Sequence, residues 1–193
     1  MNTLTPEEEK ILLQRIKADD SAAFRQLFDA YYKYLTVTAY RYLHEGEKAK
    51  DMAQDAFVEL WNRRETLTIT SGVKAYLRQA VVNKCLNYIK REKRLDFSEN
   101  AMLPETPTTP AATDNLEYED TRKTIQDAID TLPERCRIIF CMSRFDEKSH
   151  KEIAAELNIS TKTIENQITR ALKTLRSVLS VKALTFLVFI QLF

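Results

Sequence analysis

The residues best suited to chemistry lie near the C-terminus, on the predicted helix that follows Ser160. Hydroxyl, amide, carboxylate and cationic groups there can reach base edges and phosphates. They are concentrated at the N-terminal end of the helix, which is the end that a recognition helix brings into the major groove of DNA. The polar set is Thr161, Lys162, Thr163, Glu165, Asn166, Thr169, Arg170 and Lys173. This arrangement predicts sequence-specific hydrogen bonding to duplex DNA.

A short helix and a tight turn are predicted to position that surface. Ser149 and Glu152 have the spacing of a capping box. Asn158 occupies the turn, where Asn tolerates a left-handed backbone, and Ser160 is the expected cap of the second helix. The inward-facing residues are predicted to be Ile153, Ala154, Leu157, Ile164, Ile168, Ala171, Leu172 and Leu175. The pattern predicts a helix-turn-helix, and the alternative is a capped helical hairpin with a solvated polar face.

The charge distribution divides the chain. The formal net charge is +1, yet residues 96–120 hold seven acids and no Lys or Arg, so this segment carries −7 and the rest of the chain +8. The same segment has three of the five prolines and no helical period, which predicts a flexible linker between domains. A cationic body suits a polyanion partner. The alternative is charged helix faces joined by a polar linker.

Helical periodicity dominates the remaining sequence, and only two glycines interrupt it. Thr5, Pro6 and Glu8 predict the start of a first helix, with Ile11, Leu12 and Ile16 as its apolar stripe. Three further helices are expected over about 21–43, 47–64 and 73–94. The fold class is therefore predicted to be all-α, with two small helical domains, an acidic flexible linker between them, and a helix-turn-helix in the C-terminal domain.

Several functional classes find no support in the residue types. Three cysteines form no CxxC pair and lie in apolar helical patterns, so we expect them to be buried thiols in a reducing cytoplasm. Only two histidines are present, which disfavours a metal site, and no nucleophile–base set or phosphate loop indicates an enzyme or a cofactor. The N-terminus is polar and acidic, with no signal-peptide pattern.

The tail from Leu184 to Phe193 is almost entirely apolar. It has ten residues, whereas a helix that spans a bilayer needs about 20. We therefore expect no stable membrane insertion. An additional packing element or a partner-binding tail is the preferred interpretation, and membrane contact is the alternative.

Four stretches carry a family resemblance when taken in order. They are AKDMAQDAFVELW (Ala49 to Trp61), AYLRQAVVNKCLNYIKREKR (Ala75 to Arg94), DTLPERCRIIF (Asp130 to Phe140) and SHKEIAAELNISTKTIENQITRALKTLR (Ser149 to Arg176). In this order, with an acidic linker between the second and third, the chain resembles an extracytoplasmic-function (ECF) sigma factor of the bacterial sigma-70 family. The pattern is most similar to ECF factors of Bacteroidetes.

The resemblance implies a domain plan and a function. Residues 1–95 would form a region 2-like domain, 96–120 the linker, 121–180 a region 4-like helix-turn-helix domain and 181–193 an apolar tail. The implied protein is a cytoplasmic RNA polymerase sigma factor that directs promoter-specific transcription initiation. Its implied partners are core RNA polymerase, through the clamp coiled coil of the largest subunit and the flap region, promoter DNA, and a membrane-linked anti-sigma factor.

The resemblance also implies residues for polymerase binding, on the third helix. Asp51, Gln54 and Asp55 fall at the family's contact positions and, at i, i+3 and i+4, share one helix face. Phe57 and Trp61 would continue this surface as apolar anchors, although core packing is the alternative for Trp61.

The fourth helix resembles the segment that reads and opens the −10 element. Asn83 and Asn87 fall at its DNA-facing positions, where amides can pair with exposed base edges. The loop from Leu67 to Gly72 corresponds to the family loop that pockets an unstacked base. The cations that would hold phosphates are Lys84, Lys90, Arg91, Lys93 and Arg94, and a solvated basic helix end is the alternative for the last four.

The helix-turn-helix would read the −35 element as duplex DNA. Glu165 departs from the commoner basic residue at its position, but a carboxylate can accept a hydrogen bond from cytosine N4. Two other functions compete with a sigma factor. A conventional regulator would dimerise and bind an operator without polymerase, and an enzyme would need a catalytic set that the sequence does not offer.

Overall fold

A computed structural model of the protein describes residues 4–91 and 125–178. The chain divides into two compact units, Met1–Arg94 and Leu95–Phe193. Within the described ranges both units are built from α-helices and no strand is present, which confirms the all-α prediction. The predictions for Lys93, Arg94, the acidic linker and the apolar tail lie outside the described residues.

Unit 1 contains four helices: α1 (Pro6–Lys17), α2 (Ser21–Leu43), α3 (Gly46–Asn62) and α4 (Val73–Arg91). Helix α2 contacts the other three, and α3 and α4 also contact each other. Fully buried side chains from all four helices form the core; they include Ile16, Leu27, Leu35, Tyr42, Leu60, Leu77 and Ile89. The long α2 therefore acts as the central support on which the two outer surfaces of α3 and α4 are held.

Local sequence signals set the helix starts in unit 1. The Thr5–Glu8 capping box is present, and it lowers the pKa of Glu8 because the Thr5 backbone N–H and hydroxyl donate to its carboxylate. Asp20 caps α2 by accepting from the backbone N–H groups of Ala22 and Ala23. The predicted stripe of α1 is wrong at Ile11, which is 49% exposed.

Glu9 is the residue of α1 that turns inward with Leu12 and Ile16. Its carboxylate accepts from the Tyr31 hydroxyl at 2.5 Å and from the backbone N–H groups of Val73 at 2.8 Å and Lys74 at 3.3 Å. The last two groups belong to the first turn of α4, where backbone N–H groups have no partner within the helix. A side chain of α1 thus caps α4 and fixes where that helix begins.

Gly72 permits this cap. Its φ is +84°, and a Cβ at this position would lie 3.2 Å from Oε2 of Glu9. Glycine is favoured at such a φ because it has no Cβ to clash with the backbone. The hydroxyl of Tyr31 is affected as well, since burial and the hydrogen bond to the Glu9 carboxylate both raise its pKa.

Unit 2 contains α5, described over residues 125–130, then α6 (Glu134–Arg144), α7 (His150–Leu157) and α8 (Thr161–Val178). Helix α6 packs against α7 and α8, and α7 packs against α8. Cys85 in unit 1 and Cys136 and Cys141 in α6 are buried and form no disulfide, which confirms the prediction of buried cysteines. The buried face of α6 therefore seats the two helices of the predicted helix-turn-helix.

Candidate nucleic-acid and partner interfaces

The turn between α7 and α8 has the predicted local geometry. At the start of α7, Ser149 Oγ accepts from the backbone N–H of Glu152 at 3.3 Å, and Glu152 Oε2 accepts from the backbone N–H of Ser149 at 2.7 Å. Asn158 ends α7 with φ 57° and ψ 49°, in the left-handed region. These features confirm the capping box and the turn residue, which together set the angle at which α8 leaves.

The first turn of α8 is held by Ser160. Its Oγ accepts from the backbone N–H of Thr163 at 3.0 Å, and the two hydroxyl oxygens are 2.9 Å apart. Thr163 is half-buried in this cap, whereas Thr161 and Lys162 are exposed. The hydroxyl of Thr163 thus closes the helix start and is less available for DNA than the sequence suggested.

The outer face of α8 is polar along four turns. Ile164, Ile168, Ala171 and Leu175 are buried on the inner face, as predicted, while Leu172 is half-buried. The structure brings seven of the eight predicted residues to the exposed surface; they are Thr161, Lys162, Glu165, Asn166, Thr169, Arg170 and Lys173. The result is a firmly seated helix whose hydrogen-bonding groups point away from the domain.

Glu165 has a cationic neighbour on this face. Lys162 Nζ lies 3.4 Å from Glu165 Oε2, and the two side chains are 75% and 51% exposed. An exposed ion pair of this kind contributes at most about 1 kcal/mol. The carboxylate of Glu165 can therefore leave Lys162 and accept a hydrogen bond from another donor at little cost.

The outer face of α4 in unit 1 carries the two predicted asparagines. Asn83 and Asn87 are exposed one turn apart, and Asn83 Oδ1 accepts from Gln79 Nε2 at 2.7 Å. Lys90 and Arg91 are exposed at the end of the same helix. Amide groups and cations thus lie along one side of α4, in an order that suits base edges next to phosphates.

Lys84 differs from the other predicted cations because it faces α3. Its Nζ lies 2.9 Å from Oε2 of Glu59, and its side chain is 27% exposed. Arg63 Nη1 donates to the other oxygen of Glu59 at 3.3 Å. The hydrogen bond from Lys84 lowers the pKa of Glu59, with Arg63 acting in the same direction. Sequence reasoning missed Glu59, since its partner on α4 is 25 residues away in the chain.

The outer face of α3 carries the three predicted polar residues and one that was missed. Asp51, Gln54 and Asp55 are exposed on one side of the helix. Val58, one turn after Asp55, is 55% exposed and extends this side of the helix. The docking face, defined here as Asp51, Gln54, Asp55 and Val58, therefore combines two carboxylates, an amide and one apolar side chain.

The prediction of Phe57 as a surface anchor is wrong. This side chain is 1% exposed and packs between α2 and α3, with its ring 4.8 Å from that of Phe28 and 6.1 Å from that of Phe24. Trp61 is half-buried: its ring lies 5.0 Å from that of Phe24, and the Arg64 guanidinium stands 4.6 Å from it. Trp61 combines core packing with partial exposure.

The loop between α3 and α4 borders an open cavity of about 510 Å³. Leu67 is buried and anchors the start of the loop. Ser71 and Gly72, at its end, line the cavity with Tyr34 and Lys74, and Lys74 Nζ lies 4.9 Å from the centre of the Tyr34 ring. The cavity thus presents an aromatic ring and a cation beside the loop.

Comparison with known families accounts for both units. The family model for Sigma-70 region 2 matches residues 27–95, and that for Sigma-70, region 4 matches residues 122–175. The chain belongs to the sigma-70 family. The two matches contain the outer faces of α3 and α4 and the helix-turn-helix, respectively. The protein is accordingly an RNA polymerase sigma factor with a DNA-binding helix-turn-helix.

Curated relatives agree with this assignment. The sigma factor is 27% identical over 174 residues to the ECF RNA polymerase sigma factor SigW of Bacillus subtilis strain 168, covering 85% of this chain and 92% of the relative. It is 24% identical over 172 residues to the ECF RNA polymerase sigma-E factor of Escherichia coli K12, covering 84% and 90%.

The fold is similar to that of CnrH, solved in complex with the cytosolic domain of CnrY. The TM-score is 0.50 at 19% identity, covering 91% of this chain and 99% of that one.

Two features bear on cofactors and membranes. Among residues 4–91 and 125–178, no group of His, Cys, Asp and Glu side chains is arranged to hold a metal ion. Over the same ranges, none of the helices has the length and apolar character that crossing a bilayer requires.

Proposed function

We propose that this sigma factor docks on core RNA polymerase through α3 and reads a melted −10 element with α4 and a duplex −35 element with α8. The observation that carries the proposal is the separation of exposed polar groups onto these three helices, each backed by a buried apolar face. In this proposal residues 1–95 act on polymerase and the −10 element, residues 96–120 link the domains, residues 121–180 act on the −35 element and residues 181–193 form an apolar tail.

Polymerase binding would use the docking face. Asp51 and Asp55 suit a basic partner surface, which by the family resemblance is the clamp coiled coil of the largest subunit, while Val58 supplies an apolar contact at the C-terminal end of the face. Gln54 Nε2 lies 3.5 Å from the hydroxyl of Tyr32 on α2, so the face extends onto a half-buried aromatic residue. Trp61 can add to its edge. The same resemblance implies the flap region of polymerase as a further partner surface.

Promoter opening would use α4 and the adjacent loop. Asn83 and Asn87 pair with exposed base edges, and Lys90 and Arg91 hold phosphates, as Lys93 and Arg94 would beyond the described residues. Capture of a base by the loop requires unstacking, which costs a few kcal/mol. The free protein is therefore expected to bind the −10 element weakly and to depend on polymerase for stable opening.

Reading of the −35 duplex would use α8. Asn166 and Arg170, one turn apart on the exposed face, are suited to base edges, while Lys162 and Lys173 suit phosphates. Glu165 would accept from the N4 amino group of a cytosine. This contact would give the factor a −35 preference different from that of relatives with a basic residue at this position.

The remaining partners follow from the same reasoning. A membrane-linked anti-sigma factor would act in the cytoplasm by covering the polymerase-binding faces. The acidic linker, with a charge of −7, would lie along a basic path toward the polymerase channel. Replacement of its seven acids by Asn and Gln should then weaken initiation, and unchanged initiation would remove this part of the proposal.

Transcription with purified core polymerase tests the function directly. Core enzyme, with and without the protein, is incubated with fragmented genomic DNA, and transcript 5′ ends are sequenced to identify promoters. We expect transcripts that start downstream of a shared pair of elements and only when the protein is present. Absence of such transcripts, together with tight operator binding by a dimer without polymerase, would instead support a conventional regulator.

A further inference from the structure

The seam between α3 and α4 joins the two surfaces of unit 1 that the proposed function uses. Glu59 borders the docking face on the side of α3 that turns toward α4, and Lys84 follows Asn83 on α4. Lys84 Nζ and Glu59 Oε2 are 2.9 Å apart, and the two side chains are 27% and 37% exposed. A cation that was expected to hold a phosphate already has a carboxylate partner.

Glu59 is well placed to keep that partner. Arg63 Nη1 contacts Oε1 at 3.3 Å while Lys84 contacts Oε2, so each carboxylate oxygen has its own cation. These contacts also lower the pKa of Glu59, which keeps the carboxylate ionised at neutral pH. Lys84 can bind a phosphate oxygen only when its ammonium group leaves Glu59 or when the phosphate approaches the carboxylate closely.

We propose that Glu59 withholds Lys84 from DNA and thereby weakens the binding of single-stranded DNA to α4. The inference rests on the proposed role of α4 in holding the −10 strand. DNA binding at this end of α4 exchanges one ion pair for another, so Lys84 adds little net affinity while Glu59 is present. Lys90 and Arg91, exposed on the last turn of α4, are further cations proposed to hold phosphates.

Loss of the Glu59 charge should therefore increase DNA affinity, and the increase should depend on Lys84. We expect Glu59→Gln to tighten binding by about two- to fivefold, the range that corresponds to breaking an exposed ion pair. In a Lys84→Met background the same substitution should have an effect below about twofold, because no ammonium group is released.

The experiment uses the full-length protein and a fluorescein-labelled 20-nucleotide single-stranded DNA of mixed sequence at low salt. Fluorescence anisotropy gives the affinities of wild type, Glu59→Gln, Lys84→Met and the double variant. Glu47→Gln is the matched control, since Glu47 is also on α3 and also pairs with a lysine, Lys50, at 2.7 Å. It should leave affinity within about twofold. Urea midpoints, followed by Trp61 fluorescence, show whether any variant alters folding.

Three results would overturn the inference. Glu59→Gln could increase DNA affinity equally with and without Lys84, or Glu47→Gln could increase it as much as Glu59→Gln does. The third result is no increase in affinity from Glu59→Gln, including no measurable binding by any variant. An equal increase in affinity with and without Lys84 would mean that the Glu59 carboxylate acts only by repelling DNA. Because polymerase is absent from this assay, failure here is separate from failure of the proposed function, which the transcription assay reports. If Glu59→Gln lowers the urea midpoint, Glu59→Ser supplies the same comparison.

Discussion

Replacement of Glu9 should destabilise unit 1 far more than its position on a charged surface helix suggests. Glu9 is 8% exposed, and its carboxylate accepts three hydrogen bonds, from the hydroxyl of Tyr31 and from the backbone N–H groups of Val73 and Lys74. It thereby ties α1 to α2 and to the first turn of α4. Glu9→Ala removes all three contacts, whereas Glu9→Gln keeps one side-chain oxygen as an acceptor.

The expected loss in the free energy of unfolding follows from the burial of the groups that donate to Glu9. Tyr31 and Val73 are each 2% exposed, so water cannot readily replace the lost acceptor, while Lys74 is half-exposed and can be hydrated. A hydrogen bond to a charged group contributes about 1.5–3 kcal/mol, and a buried donor without a partner costs about 1–3 kcal/mol. Two buried donors give about 3–5 kcal/mol for Glu9→Ala. The retained oxygen should reduce this to about 1–2 kcal/mol for Glu9→Gln.

Trp61 makes the assay specific for unit 1, because it is the single tryptophan of the sequence. Its ring packs on Phe24, so its fluorescence should change when unit 1 unfolds. Urea titration of the full-length protein then gives the free energy of unfolding of this unit. Glu7→Gln is the control, since Glu7 is exposed in the same first turn and should change stability by less than about 0.5 kcal/mol. A cost below about 1 kcal/mol for Glu9→Ala would refute the capping role.

Three further predictions concern the turns and caps. Gly72→Ala should cost unit 1 about 1–2 kcal/mol in the same urea titration, because φ is +84° and the new Cβ would lie 3.2 Å from Glu9 Oε2; an unchanged midpoint would contradict this. Asn158→Ala should lower the thermal midpoint that circular dichroism reports, and Asn158→Gly should not, since only the alanine is strained at φ 57°. Hydrogen bonds from the Ser149 side chain and backbone hold the pKa of Glu152 below its ordinary value. Because the folded pKa is the lower one, this stabilisation is present above about pH 4.5 and is lost as the pH falls further. The difference in thermal midpoint between wild type and Glu152→Gln should therefore shrink from pH 6 to pH 3, and a constant difference would count against it.

The features that could be predicted from the sequence are those that depend on residues three or four apart. The Ser149–Glu152 capping box and the left-handed turn at Asn158 each need only one or two local groups, and the buried face of α8 repeats every three or four residues. The outer face of α8 follows from that repeat, which is why its exposed residues could be named in advance.

The features that could not be predicted depend on contacts between helices. Glu9 looks like a solvated acid in a first turn, and its role becomes visible only when Val73, 64 residues away, lies against it. The spacing of α3 allowed Phe57 to face the core, but the family resemblance made it a surface anchor, and the aromatic rings of α2 cover it. Val58, the next residue, was missed because the sequence alone does not show that its apolar side chain is left uncovered.

The most direct test of the proposed function is whether substitutions in α3 affect only polymerase binding and substitutions in α8 affect only −35 binding. Affinity for fluorescently labelled core polymerase and for a −35 duplex taken from an identified promoter should be measured for Asp51→Ala/Gln54→Ala/Asp55→Ala and for Asn166→Ala/Arg170→Ala. The first variant should lose core affinity and keep duplex binding. The second should keep core affinity and lose about 1–3 kcal/mol of duplex binding for each true base contact. Loss of both activities in either variant, without loss of folding, would contradict the assignment of α3 to polymerase and α8 to the −35 element.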